Sequence, residues 1–420
     1  MLSQKDNDYL CRVGPGTPMG TMLRRFWTPV CLAADVAKPG GAPRRVRVFG
    51  EDFVAFRTGN GEVGLIDERC MHRGASLTVA RVEDCGIRCL YHGWKFAPDG
   101  QILEMPNLRD LRLQDRLKAP TYPAREAGGL LWGYFGPAEK QPEFPQYSWM
   151  FAEPQPRRPV NIIFECNWVQ LIEGSMDSSH LGILHQEELT EARTGVYKQM
   201  QAAEDSFPTD DRAPAMEIAN TPFGFHYAAI RDIIGDTSRK YVRVTPYILP
   251  YMTYTPPGRA AVIHVPIDDE TTAQYAIGRW KDGDTPLEAV RFFGIDRPGV
   301  GQWGEDRVWR LPPQDRAAIE RGESFSGYYG IIPQDMAVTL TQGRIYDRSK
   351  EHVTVSDLAA VRMRRLLMDS AKRVEQGSEP LGMLSAADTR RIQGAAGPLE
   401  PERDWQTMVP GNLMLQDAAE

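Results

Sequence analysis

Two short segments of this chain pair a cysteine with a histidine, and they constrain its fold more than any other feature. The first is Cys70-x-His72 and the second is Cys89-x-x-His92. Thiolates are soft metal ligands that suit iron–sulfur clusters and zinc, and imidazole suits both. Two loops that each carry both kinds of ligand therefore predict a metal centre.

The order of the four ligands favours a Rieske [2Fe–2S] centre over zinc. In such a centre two thiolates hold one iron and two imidazoles hold the other. Because each loop carries one cysteine and one histidine, each loop can give one ligand to each iron. A zinc site more often has two Cys-x-x-Cys pairs, or a cysteine pair followed by a histidine pair. We therefore predict that Cys70, His72, Cys89 and His92 bind a [2Fe–2S] cluster, with zinc as the alternative.

Composition excludes several classes of protein. The net charge of −7 argues against a nucleic-acid partner, because nucleic acids attract basic surfaces. No apolar run reaches the roughly 18 residues of a membrane span, and the N-terminus shows no signal peptide. The six cysteines are scattered, which argues against a disulfide framework. We expect a cytoplasmic protein that contacts neither membrane nor nucleic acid.

The chain divides by pattern into two domains and a linker. Residues 1–137 carry an N-terminal segment and several hairpin signals, which predict a small antiparallel β domain with the metal loops at its tips. Residues 138–159 are rich in proline and read as a linker. Residues 160–420 combine strand patterns with helical ones, the clearest helix being 355–376. The predicted strands of this part are 224–230, 241–251, 260–266 and 272–280.

A second metal motif opens the second domain. The stretch 167–185 has a helical pattern and carries Asp177, His180 and His185. Asp177 and His180 are three apart and share a helix face. His180 and His185 are five apart, about 140° on a regular helix, so they can bind one metal only if the helix is broken or bulged, and Gly182 lies between them. Two histidines and one carboxylate describe the facial triad of non-haem Fe(II) oxygenases. The alternative is a helix whose histidines form ordinary hydrogen bonds instead of binding a metal and whose acidic face is exposed to solvent.

The paired motifs resemble one family closely. C-x-H and C-x-x-H, followed about ninety residues later by D-x-x-H-x(4)-H, resemble the large subunit of Rieske non-haem iron ring-hydroxylating oxygenases. The resemblance covers essentially the whole chain, and the segments 13–20 and 334–348 resemble the phthalate dioxygenase branch. It implies an α+β fold, in which an antiparallel β Rieske domain precedes a helix-grip catalytic domain. It also implies a homotrimer, sometimes stacked into a hexamer.

The resemblance assigns roles to individual residues. His180 and His185 would bind a mononuclear Fe(II). The third ligand would be Asp335, by its position in Gln334-Asp335-Met336-Ala337, with Asp347 and Asp357 as local competitors.

Asp177 resembles the family's bridging aspartate, which joins a cluster histidine of one subunit, His92 by position, to the iron ligand His180 of its neighbour. No G-x-G-x-x-G segment follows a strand, so a separate NAD(P)H-dependent reductase is expected to supply the electrons.

These features predict a terminal oxygenase that uses O2 to hydroxylate an aromatic carboxylate. A Rieske monooxygenase that removes an O- or N-methyl group has the same ligands and stays an alternative. A pure Rieske electron carrier is a second alternative, although Ala75 and Tyr91 stand where respiratory Rieske proteins have disulfide cysteines. A metal-stabilised binding protein without turnover would leave the second motif unexplained.

One arginine is the main candidate for substrate recognition. Tyr241, Arg243 and Thr245 alternate along a predicted strand and share one face. If that face lines the pocket, Arg243 can bind a substrate carboxylate through two hydrogen bonds. Ser178 and Arg212 are further candidates. The alternative for Arg243 is a strand arginine that faces solvent.

Overall fold

The chain forms two compact units, and each is described by itself. The computed structural model describes residues 2–109, 114, 116–151, 157–187, 211–233, 235–256, 260–279, 307–409 and 411. One unit is residues 13–144, and the other combines residues 1–12 with 145–420. Among the described residues, no helix is long and apolar enough to cross a membrane.

Short helices and eighteen strands make up the described chain. The helices are α1 (Gln4–Cys11), α2 (Pro18–Leu23), α3 (Trp168–Met176), α4 (Leu181–Leu184), α5 (Arg316–Glu320), α6 (Ile331–Leu340), α7 (Leu358–Glu375) and α8 (Ala386–Thr389). The strands are β1 (Thr28–Leu32), β2 (Arg44–Val48), β3 (Glu51–Arg57), β4 (Val63–Asp67), β5 (Arg81–Glu83), β6 (Gly86–Arg88), β7 (Lys95–Phe96), β8 (Ile102–Glu104), β9 (Ala124–Ala127), β10 (Leu130–Gly133), β11 (Arg157–Phe164), β12 (Ala215–Thr221), β13 (Gly224–Ile233), β14 (Asp236–Ile248), β15 (Met252–Thr255), β16 (Ala260–Pro266), β17 (Thr272–Arg279) and β18 (Ala395–Leu399).

The unit 13–144 consists of three small antiparallel sheets, ordered β2-β3-β4, β5-β6-β7-β8 and β1-β10-β9. Phe56, Ile87 and Phe96 are fully buried in a core that also contains Cys70 and Cys89. The first ligand of each metal loop is therefore buried in the hydrophobic core of this unit. The predicted antiparallel β domain with ligand loops is confirmed.

One eight-stranded antiparallel sheet organises the larger unit. Strands β12 to β17 follow one another as a meander, and β11 pairs with β17 at the far edge. The long strand β14 pairs with β18 in its middle, over Lys240–Val244, and with β15 at its C-terminal end, over Tyr247–Ile248. Helix α3 packs against β15 and β16 on one side and against α1, α6 and α7 on the other. Helix α3 is thus packed between the sheet and the outer helices, and the histidines of the second metal motif follow it in the chain.

The division differs from the predicted boundaries at the N-terminus of the chain and at the C-terminal end of the linker. Residues 1–12 belong to the larger unit because α1 is tied to it by hydrogen bonds: the Asn7 amide donates to the Tyr346 carbonyl (3.0 Å), and the Asn167 amide donates to the Cys11 carbonyl (3.0 Å). Strand β11 begins at Arg157, inside the predicted linker 138–159, of which residues 152–156 lie outside the described chain. Trp280, the predicted end of the last strand, also lies outside it.

A buried ionic network anchors α3 against the helices behind it. Glu173 of α3 accepts two hydrogen bonds from Arg348 (both 2.8 Å) and another from Arg364 of α7, which also pairs with Glu351. Arg348 is fully buried. Burial alone would raise the pKa of Glu173, but Arg348 and Arg364 hold it below its usual range. The carboxylate is therefore charged at neutral pH and compensates two buried guanidinium groups.

Replacing Glu173 with leucine should destabilise the larger unit, because the fully buried Arg348 then loses its counter-charge and the buried Arg364 keeps only Glu351. Removing one partner of a buried ion pair costs about 3–5 kcal/mol, and this loss should appear as a lower urea midpoint at pH 7. Since folding lowers the pKa of Glu173, its contribution should disappear as the pH falls below the ordinary carboxyl range. Glu323→Gln, which breaks an exposed pair with Arg321, serves as the control and should change stability by less than about 1 kcal/mol. An equal effect of both substitutions would contradict the anchoring role.

Candidate active site with two metal centres

The two Cys-His loops of the smaller unit share one backbone hydrogen-bond pattern. The Cys70 N–H donates to the Ala75 carbonyl (2.9 Å), and the Cys89 N–H donates to the Trp94 carbonyl (2.9 Å). In each loop the glycine four residues after the cysteine donates back to the cysteine carbonyl, Gly74 at 2.8 Å and Gly93 at 3.0 Å. Both glycines have a positive φ, 71° and 74°, which most L-residues avoid. This explains why a glycine follows each pair at the same distance from its cysteine.

The loops place the thiols inside and the imidazoles side by side near the surface. Cys70 and Cys89 are each 3% exposed. The His72 and His92 rings lie 4.5 Å apart, centroid to centroid, and the Trp94 indole stacks on His72 at 4.5 Å with an angle of 4°. Burial, together with the neighbouring Cys89 thiol, raises the pKa of Cys70 to about 11, although backbone N–H groups of the loop oppose this. The Cys70 thiol therefore keeps its proton until a metal ion replaces it, and the donor set fits an iron–sulfur cluster.

Helix α3 ends at Met176, within the second motif and before both of its histidines. Asp177 caps the end of α3, and its Oδ1 accepts hydrogen bonds from the backbone N–H and the hydroxyl of Ser179 (2.7 and 2.6 Å). The next turn, α4, is flanked by His180 at its start and His185 at its end. The interruption therefore precedes His180, whereas Gly182 lies within α4. Asp177 makes the break by capping the backbone of the turn that follows it.

His180, His185 and Asp335 converge on one point. Asp335 Oδ1 lies 2.9 Å from His185 Nε2 and 3.6 Å from His180 Nε2. Within the described part of the chain, these three residues form the one group of potential metal ligands whose ligand atoms all lie within 4.8 Å of one another. Helix α6 supplies Asp335, so the group joins two segments that are far apart in sequence.

The hydrogen bonds behind the two rings determine what the convergent atoms can do. His180 Nδ1 faces Asp177 Oδ2 (3.2 Å), and His185 Nδ1 faces Gln334 Oε1 (2.7 Å). Carboxylate and amide oxygens only accept hydrogen bonds, so the Nδ1 atoms of the two neutral rings carry the protons. Both Nε2 lone pairs then point, with a carboxylate oxygen, at the same space. Two imidazole lone pairs and a carboxylate oxygen at this distance repel one another unless a cation lies between them. Two imidazoles with one carboxylate fit a mononuclear iron.

Burial would raise the pKa of Asp177, but hydrogen bonds from His180 and Ser179 lower it to about 2. The carboxylate is therefore charged at neutral pH, and it orients the His180 ring. Its side chain remains 33% exposed, so it also reaches the surface of the larger unit.

The competing carboxylates lie elsewhere. Asp347 accepts hydrogen bonds from Ser349 and pairs with Lys350 (3.0 Å). Asp357 accepts a hydrogen bond from the Thr354 backbone N–H in a 3₁₀ turn. Neither belongs to the group around His180.

Two of the three candidate substrate residues lie together. Ser178 is fully buried, and its hydroxyl lies 3.4 Å from Nη1 of the half-buried Arg243. Arg212 instead donates to the exposed side of Gln186 (3.2 Å), next to His185. A further arginine, Arg231, is 1% exposed and donates to the Ser178 carbonyl.

Sequence reasoning missed Arg231 and Gln334. Burial, and then the charge of Arg243, lower the pKa of Arg231 to about 10, so it remains a cation at neutral pH. The period-two pattern of β13 places Arg231 opposite Tyr241 of β14, on the sheet face that carries Arg243, and this signal could have found it. Gln334 had no comparable signal, because its partner His185 is distant in sequence.

Comparison with known proteins agrees with this geometry. Residues 26–123 match the model of the Rieske [2Fe-2S] domain, and residues 133–416 match the model described as LigXa C-terminal domain like. The chain is 38% identical to the phthalate 4,5-dioxygenase oxygenase subunit of Pseudomonas putida, over 97% of this chain and 94% of that protein. This chain belongs to the Rieske oxygenase family.

Other relatives have different reactions in their names. The 3-chlorobenzoate-3,4-dioxygenase oxygenase subunit of Comamonas testosteroni is 33% identical, over 97% of this chain and 98% of that protein. The 5,5'-dehydrodivanillate O-demethylase oxygenase subunit of a Sphingobium strain is 32% identical, over 91% of this chain and 84% of that protein. Among solved structures, NdmA of Pseudomonas putida CBB5 with caffeine is similar in fold, with a TM-score of 0.60, 17% identity and coverage of 92% of this chain and 100% of that one.

Membership confirms the predicted family, the α+β fold and the two cofactors. This Rieske oxygenase is an oxidoreductase whose cofactors are a [2Fe–2S] cluster and a mononuclear non-haem iron. As an oxygenase subunit of a multicomponent system, it works with an electron-donating partner.

The two loop glycines should differ in their tolerance of a side chain. A Cβ on Gly93 would lie 2.7 Å from Pro106 Cγ, whereas a Cβ on Gly74 meets no atom within 4 Å. Gly93→Ala should therefore distort its loop and lower the cluster content per chain, measured by the visible absorption of the purified protein. Gly74→Ala has the same backbone strain of about 1 kcal/mol without the clash and should retain most of its cluster. Equal cluster loss in both variants would show that strain alone, and not the Pro106 contact, decides assembly.

Proposed function

We propose that this chain is the terminal oxygenase of a system that hydroxylates an aromatic carboxylate with O2 and electrons from a separate NAD(P)H-dependent reductase. The convergence of two histidine Nε2 atoms and one aspartate oxygen carries the proposal, together with buried Arg231 and half-buried Arg243 at the nearby Ser178. In it, the [2Fe–2S] ligands are Cys70, His72, Cys89 and His92, and the iron ligands are His180, His185 and Asp335.

The metal centres supply the redox chemistry, and the protein supplies orientation and charge. When bound, the mononuclear iron activates O2 and the cluster provides single electrons. Asp177 holds the His180 proton at Nδ1 and so keeps Nε2 available as a ligand. His180, His185 and Asp335 would hold the iron and would leave it accessible to O2 beside the substrate.

Asp177 also has a place in the proposed path between the two centres. We place its carboxylate between His180 and His92 of the partner subunit in a homotrimer, which in turn can stack into a hexamer. The partial exposure of the Asp177 side chain supports this, because a bridging carboxylate must reach a subunit surface.

The charge of the pocket supports a carboxylate substrate. Arg231 and Arg243 lie close enough for the charge of Arg243 to lower the pKa of Arg231, so a bound anion would relieve repulsion between them. The Ser178 hydroxyl, near Arg243, can donate to the same anion. We place a substrate carboxylate at Arg243 and Ser178, while Arg212 lies on the exposed side of α4 beside Gln186.

The O-demethylase relative supports a second reaction at the same residues, removal of a methyl group from an aromatic ether acid. Turnover of a panel of benzoates, phthalates and their methyl ethers under labelled O2 separates the two. Ring hydroxylation places labelled oxygen on the aromatic ring, whereas demethylation releases formaldehyde. Turnover of none of these acids would refute the proposed substrate class.

Replacing Arg243 with leucine should raise the KM for a carboxylate substrate by about 10- to 100-fold, because a hydrogen-bonded charge pair contributes about 1.5–3 kcal/mol. The kcat should change less, since the contact is made in both ground and transition states. Arg239→Leu on the same strand, which loses only an exposed pair with Asp236, is the matched control and should leave both constants near their wild-type values. An unchanged KM in Arg243→Leu would contradict the assignment.

A further inference from the structure

His185 is the most buried member of the convergent group, and one residue, Gln334, forms a hydrogen bond with the ring nitrogen that does not face Asp335. The histidine is 1% exposed, and its Nδ1 lies 2.7 Å from Gln334 Oε1. Gln334 is fully buried on α6, directly before Asp335. One turn of one helix therefore carries both a proposed iron ligand and the partner of a second ligand.

The orientation of the Gln334 amide follows from its other contacts. Its Nε2 donates to the Tyr328 carbonyl (3.0 Å) and lies 3.4 Å from the Ser326 hydroxyl. A carbonyl oxygen can only accept, so the NH₂ group must face Tyr328 and the amide oxygen must face the imidazole. The His185 proton is then held at Nδ1. Nε2 keeps its lone pair towards Asp335, 2.9 Å away.

We propose that Gln334 is a positioning residue for the mononuclear iron, which fixes both the tautomer and the ring plane of His185. The inference rests on the proposed assignment of His185 as an iron ligand. Rotation of the His185 ring would break the bond to Gln334, and the other tautomer would put a proton where the metal ion binds. Ligand histidines typically need such a partner on the other nitrogen, and losing it costs about 10- to 100-fold in metal affinity or activity.

The two histidines of the site thus have unlike partners. His180 donates to a charged carboxylate, Asp177, whereas His185 donates to a neutral amide, Gln334. A carboxylate partner raises the basicity of its imidazole more than an amide does, since it stabilises positive charge on the ring. The site therefore holds the metal with one strongly polarised and one weakly polarised imidazole. Gln334 is the partner of the weakly polarised imidazole, that of His185.

The test measures iron affinity in the intact protein with its cluster in place. The mononuclear iron is removed with a chelator, and Fe(II) is returned anaerobically in competition with a chromogenic chelator. Gln334→Leu should weaken Fe(II) binding by about 10- to 100-fold. Gln334→Glu retains an oxygen acceptor for Nδ1 and should bind Fe(II) more tightly than Gln334→Leu does. The EPR spectrum of the nitric oxide adduct at the iron should change in Gln334→Leu, because the ring orientation changes.

Gln170 offers a matched control. Its buried amide donates to the Thr339 and Gly343 carbonyls (3.3 and 3.0 Å), and its oxygen accepts from the Tyr346 backbone N–H (2.9 Å) where that of Gln334 faces an imidazole. Gln170→Leu should lower Tm while leaving the Fe(II) affinity and the EPR spectrum of the adduct unchanged.

Wild-type affinity in Gln334→Leu, equal losses in Gln334→Leu and Gln334→Glu, or an equal loss in Gln170→Leu would each overturn the positioning role. His185→Ala separates this outcome from failure of the underlying assignment. If His185→Ala still binds Fe(II) as the wild type does, the ligand assignment itself is wrong. If His185→Ala loses the iron while Gln334→Leu keeps it, only the role of Gln334 is wrong.

Discussion

The convergence of two imidazole lone pairs and a carboxylate oxygen is the constraint on which the functional reading depends. Asp177 and Gln334 accept hydrogen bonds from Nδ1 of His180 and His185, so both Nε2 lone pairs and the Asp335 oxygen point at one space. Without a cation these groups would repel one another. The hydrogen bonds behind the rings therefore define a metal site before any metal arrives.

The fold of the larger unit holds the two histidines and the aspartate at fixed positions. Helix α3 must end where Asp177 can cap it, and the buried network of Glu173, Arg348 and Arg364 ties that helix to its neighbours. The eight-stranded sheet presents Arg231 and Arg243 towards the turn that follows α3, where both contact Ser178. In the proposed function, anion recognition and metal binding thus meet in one turn: Asp177 orients the proposed ligand His180 through its carboxylate, and Ser178 contacts Arg243 through its hydroxyl.

The sequence predicted the parts of the site whose ligands are close in the chain. Cys70 and His72 belong to one loop, and Cys89 and His92 to another, so spacing alone indicated a Rieske centre. The five-residue separation of His180 and His185 required a broken or bulged helix; in the structure the helical stretch is interrupted before His180, and the short turn α4 ends at His185. The position of the break was not predictable from glycine content, because Asp177 and Ser179 form it through side-chain hydrogen bonds.

Non-local contacts account for what the sequence could not show. Asp335 was assigned by resemblance to a family, since no local pattern links it to residues more than a hundred positions earlier. Gln334 and Arg231 become visible only when α6 and β13 pack against the segment 177–185. The first twelve residues likewise join the larger unit through individual side-chain and backbone hydrogen bonds, such as those of Asn7 and Cys11, which leave no periodic signal.

Mössbauer spectroscopy of the purified, iron-enriched protein, combined with total metal analysis, tests the central claim most directly. The account predicts two kinds of iron in one polypeptide: a Rieske pair with one thiolate-ligated and one imidazole-ligated site, and a separate high-spin Fe(II). Asp335→Ala should remove only the separate Fe(II) and leave the cluster signals intact. Zinc at both centres, or a single kind of iron that Asp335→Ala does not alter, would contradict it.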